Sequence, residues 1–304
     1  MKDKTIIEDL AEVYPQLYLD PDREEKEAYR AVVLQGEMPE SQSLAHFQQS
    51  PMDNAENVDT PAGAVQVVSL RNRRDYEVFV RCMMAAKEGP RTSIPATQGA
   101  STLITFNWPR IREHEKAYME EQRAAGNLSP DWNAEFQRFT SVRENFMDML
   151  VVLSCGPYSG ITAEQVGQPE ETWTQTSLAI RKYHELTHVI CRKQYPDQIE
   201  AVWDELVADA IGIYGALGRY DAPLEKRFLG IADGRYIGGR LENYTDSAPA
   251  LAGMISRTLD RFVQIFEEHP GAGTFEMIPI LQAQQAEFEK QTEYRKAGAV
   301  NDFA

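Results

Sequence analysis

Arg181-Lys182-Tyr183-His184-Glu185-Leu186-Thr187-His188-Val189-Ile190 is the stretch on which the reading of this chain turns. It contains His-Glu-x-x-His. Two histidines four apart on a helix stand about 40° apart around its axis, one turn above the other. Both imidazoles can then reach one metal ion, and zinc accepts nitrogen ligands in a tetrahedral shell. Glu185 points about 100° away from His184, so it flanks such a metal rather than binding it. From there a carboxylate can take a proton from water. Leu178, Ala179, Tyr183, Leu186, Val189 and Ile190 share one face of the same helix, while Ser177, Arg181, His184, Thr187 and His188 share the other. The spacing predicts a helix over 171–194, apolar on one side and polar toward a cleft.

The next segment supplies a context for the motif. Tyr195-Pro196-Asp197 breaks the first helix, and Asp197 with Glu200 has capping-box form. A second helix is expected over 198–218, with Ile199, Val202, Trp203, Leu206, Ala210, Tyr214 and Leu217 as its apolar stripe. Glu205 and Asp209 lie on the flank of that stripe, one turn apart. A two-helix hairpin would return Glu205 to the histidines and complete a His184, His188, Glu205 shell for one Zn2+ per chain. Three protein ligands leave the fourth position to water. Asp209 would accept a hydrogen bond from the outer nitrogen of a ligand histidine.

His184-Glu185-Leu186-Thr187-His188 followed by Asp204-Glu205-Leu206-Val207-Ala208-Asp209 resembles the gluzincin pattern of thermolysin-like zinc metallopeptidases, over about residues 171–218. The resemblance implies that His184, His188 and Glu205 are zinc ligands, Glu185 the general base and Asp209 the residue that orients His184. Asp204 departs from it, standing where those enzymes often carry Asn.

A peptidase of this kind also needs a group that polarises the scissile carbonyl. Arg240 and Tyr244, in the Gly-containing stretch 235–244, are the candidates. Tyr158, in Gly156-Pro157-Tyr158-Ser159-Gly160, is a candidate for the opposite wall. Cys191 lies one turn past His188, so it is either a further ligand or a small buried thiol. A di-iron bundle would need a second Glu-x-x-His, but positions 43, 111 and 266 are Ser, Ile and Phe. The function expected is zinc-dependent hydrolysis of a peptide. The alternatives are hydrolysis of a small amide, or a non-catalytic zinc site that serves stability or partner binding.

The rest of the chain sets bounds on this reading. A formal net charge of −16 repels phosphate backbones and anionic lipid, so neither nucleic acid nor membrane is an expected partner. Three widely spaced cysteines suggest no disulfide framework. The N-terminus lacks the apolar core of a signal peptide, and a cytoplasmic protein is expected. The expected fold is α+β and mainly α, one domain over 1–304, with a mixed α/β part at 1–128 and a helical zinc-site part at 129–304. Helices are expected at 4–18, with Pro15 a point at which the first can end early, and at 22–34, 73–88, 109–125, 131–148, 222–229, 246–268 and 274–297. Strands are expected at 64–70, within 90–108 and at 149–153, with a long loop over 35–62.

Overall fold

The computed structural model describes residues 4–198 and 200–292. The protein is mainly helical with one small mixed sheet. By contact the chain divides into two compact units, residues 1–57 with 66–154, and residues 58–65 with 155–304. Residues 129–154, read from the sequence with the helical part, supply a helix and a strand to the first unit.

The first unit holds α1 (Ile6–Val13), α2 (Lys26–Gln35), α3 (Arg73–Glu88), α4 (Trp108–Ala124) and α5 (Trp132–Thr140). The four-stranded sheet is built from β1 (Asn54–Thr60), β2 (Gly63–Leu70), β3 (Ala100–Phe106) and β4 (Met147–Ser154), in the order β1-β2-β4-β3, and all of it but residues 58–65 belongs to the first unit. β2 runs parallel to β4, with Val67 opposite Val151, and β3 runs antiparallel to it, with Leu103 opposite Leu150. Tyr29, Leu70, Tyr76, Phe79, Leu150 and Val152 form the buried core.

Three expectations need correction in this unit. The helix expected over 4–18 stops at Val13 and resumes as a 3-10 turn, Pro15–Tyr18, because Pro15 has no N–H for the helix ladder. The helix expected over 131–148 ends at Thr140, where Thr140 and Ser141 turn their hydroxyls onto Phe136 O and Arg138 O. Within the expected loop 35–62 lies β1. Its sequence, Asn-Ala-Glu-Asn-Val-Asp-Thr, has almost no β-forming residues, and only its place at the sheet edge makes it a strand.

The second unit holds α6 (Glu170–Gln194), α7 (Ala201–Leu217), α8 (Ala222–Leu229), the two-stranded β5 (Ile231–Ala232) and β6 (Arg235–Tyr236), α9 (Ala248–Glu268) and α10 (Met277–Gln282). Trp203 is its central side chain. It is fully buried, edge-on to Phe262, and its indole N–H donates to Gln282 at 2.8 Å. The helix expected over 274–297 is shorter in its first part: a 3-10 turn precedes α10, and a turn at 283–284 interrupts the helical path that continues to 292. Residues 293–297 and Ile199 lie outside the described residues.

α7 begins later than the expected capping box. Pro196–Gln198 is a 3-10 turn, and Glu200 itself caps the helix by accepting from Trp203 N at 2.7 Å. α6 and α7 are antiparallel: Ile180 lies against Gly212, His184 against Asp209 and His188 against Asp204. Gly212 is what permits the close approach. A Cβ there would stand 2.8 Å from the Ile180 carbonyl oxygen and 3.4 Å from His184 Cβ. An alanine gains about 1 kcal/mol in intrinsic helix propensity over glycine, but its methyl meets backbone that cannot rotate away. Gly212→Ala is therefore expected to lower stability by about 1–3 kcal/mol through overpacking, read by denaturant unfolding. An unchanged or raised midpoint would show that the helix pair has slack at this crossing.

Candidate metal centre

The antiparallel pair brings the predicted ligands together. His184, His188 and Glu205 each offer an atom within 4.8 Å of the others. The two Nε2 atoms are 2.9 Å apart, and the Glu205 carboxylate oxygens lie 3.6 Å from His184 Nε2 and 3.5 Å from His188 Nε2. Two atoms bound at about 2.0–2.1 Å to one tetrahedral zinc stand about 3.3–3.4 Å apart, so the two carboxylate edges come close to that spacing and the edge between the imidazoles is shorter.

The outer nitrogens explain the direction of the inner ones. His184 Nδ1 meets Asp209 Oδ1 at 2.9 Å, and His188 Nδ1 meets Asp204 Oδ2 at 2.9 Å. A carboxylate only accepts, so each Nδ1 carries the proton, and each ring, when neutral, keeps its Nε2 lone pair for the centre. Glu205 Oε2 is buried and has no hydrogen-bond partner among the described residues. Two lone pairs and an unpaired carboxylate oxygen converging out of water are a donor set that suits a divalent cation.

Burial sets the electrostatics. Both histidines are 5% exposed, and Asp209 is fully buried. The polar face of α6 is thus packed rather than open, with Ser177, Arg181 and Thr187 buried along it. Burial alone would raise the Asp209 carboxyl, but Arg240 and then His184 hold it well below the usual carboxylate range. Burial also opposes ionisation of Asp204, yet its bond to His188 pulls it down. For His188, burial disfavours the imidazolium, while Asp204, Glu205 and Glu185 together outweigh that and raise it.

The remaining candidates fall into different places. Arg240 reaches Asp209 Oδ2 through one terminal nitrogen and the Tyr158 hydroxyl through the other, at 2.9 Å for the latter. Tyr158 is 3% exposed and donates to Asp209 Oδ1 at 2.7 Å, with its oxygen 2.9 Å from His184 Nδ1. Its ring lies between the guanidiniums of Arg181 and Arg240, at 5.5 and 5.0 Å, and edge-on to Phe228. Tyr158 and Arg240 therefore brace His184 from behind; the geometry does not put Tyr158 on an opposite wall. Tyr244 lies under the Arg240 guanidinium at 5.8 Å, and burial, against Arg240 and with the nearby Glu205 charge, holds its hydroxyl strongly protonated. Glu185 is half-buried beside His188. Cys191 is buried and accepts from Gln282 Nε2 at 3.3 Å, outside the ligand triangle. Burial pushes its thiol up to about 11.

Asp204 is the residue that reasoning from the sequence passed over as a partner of His188. The signal was present. In an antiparallel pair, one turn forward along α6 is matched by one turn back along α7, so a carboxylate opposite His184 predicts another opposite His188.

Residues 3–277 match a family of unknown function, DUF7005, and the chain belongs to that family. No curated protein and no solved structure matches it.

Removing a ligand or its support should be separable by metal titration. His184→Ala, His188→Ala and Glu205→Ala are expected to abolish stoichiometric zinc binding. Asp204→Asn and Asp209→Asn, which keep an acceptor but lose the charge, are expected to weaken it by roughly 10–100-fold. Competition against a chelator of known affinity measures both. Full zinc occupancy in the histidine variants would remove the assignment.

Proposed function

We propose that this protein is a zinc-dependent hydrolase, most simply a metallopeptidase of gluzincin-like construction. The observation that carries the reading is the convergence of two buried imidazole Nε2 atoms, 2.9 Å apart, with the Glu205 carboxylate, each imidazole backed by its own aspartate. His184, His188 and Glu205 would hold the ion. Zinc bound there supplies a Lewis acid and acidifies a water molecule.

The protein's own groups do the remaining work. Glu185 follows His184 on α6, is half-buried, and its charge acts on His188. It takes the proton from the attacking water as that oxygen bonds to the carbonyl carbon. The same proton passes to the leaving nitrogen as the C–N bond breaks, which returns Glu185 to its ionised state. Arg240 serves as support for Asp209 and His184, since both of its terminal nitrogens are engaged there. Tyr244, strongly protonated and near enough to Glu205 to act on it as a hydrogen-bond partner, remains the candidate donor for a developing oxyanion. A non-catalytic site would be favoured by a fourth protein ligand, and Cys191, the nearest thiol in sequence, is bonded to Gln282 instead.

Glu185→Gln separates binding from chemistry. It preserves shape but cannot accept a proton at neutral pH. Zinc content and folding are expected to match the wild type, while cleavage of a peptide library falls by roughly 10²–10⁴-fold. Cleavage by the Glu185→Gln variant at the wild-type rate would overturn the assignment of the base. A zinc-loaded wild type that cleaves neither peptides nor small amides would favour the non-catalytic reading.

A further inference from the structure

Glu225, on α8, is fully buried, and neither of its carboxyl oxygens has a well-formed hydrogen bond among the described residues. The Tyr220 hydroxyl, also buried, stands near enough to act on it as a loose hydrogen-bond partner, and Arg240 Nε is buried without a partner among the described residues. Three groups act on Glu225 from neighbouring elements: Asp209 from α7, Tyr220 from the turn before α8, and Arg240 from the turn after β6. α9 meets this region through apolar rings, with Tyr220 stacked on Phe266 at 4.9 Å and tilted against Phe262. The acidic groups of α9 that flank those rings, Asp260, Glu267 and Glu268, are exposed, and Asp260 is paired with Lys226. The charged groups that act on Glu225 are thus one other carboxyl, Asp209, and one guanidinium, that of Arg240, whose terminal nitrogens already serve Asp209 and Tyr158.

We propose that Glu225 is a neutral carboxylic acid in the folded protein, and that its proton is what leaves Arg240 undivided behind Asp209 and His184. A carboxylate with no ion pair of its own and only one loosely placed hydroxyl beside it is not sustained out of water, and the group keeps its proton instead. Loss of that proton would set two buried anions competing for one cation. Glu225 is then a positioning residue, acting on His184 through Arg240 and Asp209, and the fold carries a device that loosens that support as the solution becomes alkaline. The direction of titration agrees: burial, followed by the charge of Asp209, raises the Glu225 carboxyl well above the usual range, against the smaller pull of Tyr220 and Arg240.

The sign of the pH effect follows. A carboxyl whose folded value lies above its unfolded value holds an extra proton in the folded state between the two. Its contribution to stability is complete below the ordinary carboxylate range and is lost as pH rises toward the folded value. This inference does not depend on any bound metal.

The test is thermal unfolding of the full chain and of Glu225→Gln from about pH 5 to about pH 9, with infrared spectra of both. Glutamine has the same shape and no charge. The expected result is a melting temperature for the variant that meets or exceeds the wild type, with a gap that widens toward alkaline pH. The wild-type spectrum should contain a protonated-acid carbonyl band at neutral pH that the variant lacks. A variant destabilised by the same amount at every pH, or a wild type without the band, would overturn the proposal. If the variant does not fold, the wild-type band decides alone: persistence at neutral pH and loss on upward titration support the proposal, and absence refutes it.

Discussion

Two imidazole nitrogens facing each other across 2.9 Å, with their lone pairs turned inward by aspartates behind them, form the constraint around which the second unit is arranged. Such a juxtaposition is unfavourable unless positive charge lies between the nitrogens, and burial makes it more so. Much of the surrounding structure can be understood as holding it in place. Gly212 lets α7 approach α6 at the level of His184. Trp203 fixes α7 against α9 and the C-terminal helical path. Tyr158, flanked by two guanidiniums, keeps Asp209 and His184 in register.

The two histidines are supported unequally. Asp209, behind His184, is neutralised by Arg240 and also accepts from Tyr158. Asp204, behind His188, is 8% exposed, and the nearest cation acting on it apart from the histidines is Arg192, through charge alone. His188 therefore faces the more electron-rich partner, and His184 the more rigidly held one. A single substitution at either aspartate perturbs different properties: orientation more at Asp209, donor strength more at Asp204.

How far the sequence disclosed this arrangement can be judged residue by residue. The helix carrying His184 and His188, and the carboxylates Glu205 and Asp209 on the next helix, were legible because helical periodicity and a hairpin are enough to bring them together. Arg240 was legible as a residue near the centre, but its orientation was not, since a loop has no period from which to infer direction. Tyr158 was assigned to the wrong side for the same reason. Glu225 gave no signal at all: within Ala222-Pro223-Leu224-Glu225-Lys226-Arg227 it resembles any solvated helix residue, and only tertiary packing takes it out of water. In the first unit, β1 escaped notice because its residues are polar and show no apolar face, although it is joined to β2 by a turn of only two residues, whereas β2 and β4 announced themselves through runs of valine and leucine.

The polarity that concealed β1 also bears on how molecules of this protein meet one another. A strand at the edge of a sheet exposes a row of backbone donors and acceptors that another chain could extend. Here that row is bordered by Glu56 and Asp59. A second copy docking edge to edge would bring carboxylates against carboxylates, in a chain whose net charge is already −16. The residues that make β1 a poor strand former therefore act as a guard against intermolecular sheet growth, at a place where a stronger strand would have invited it.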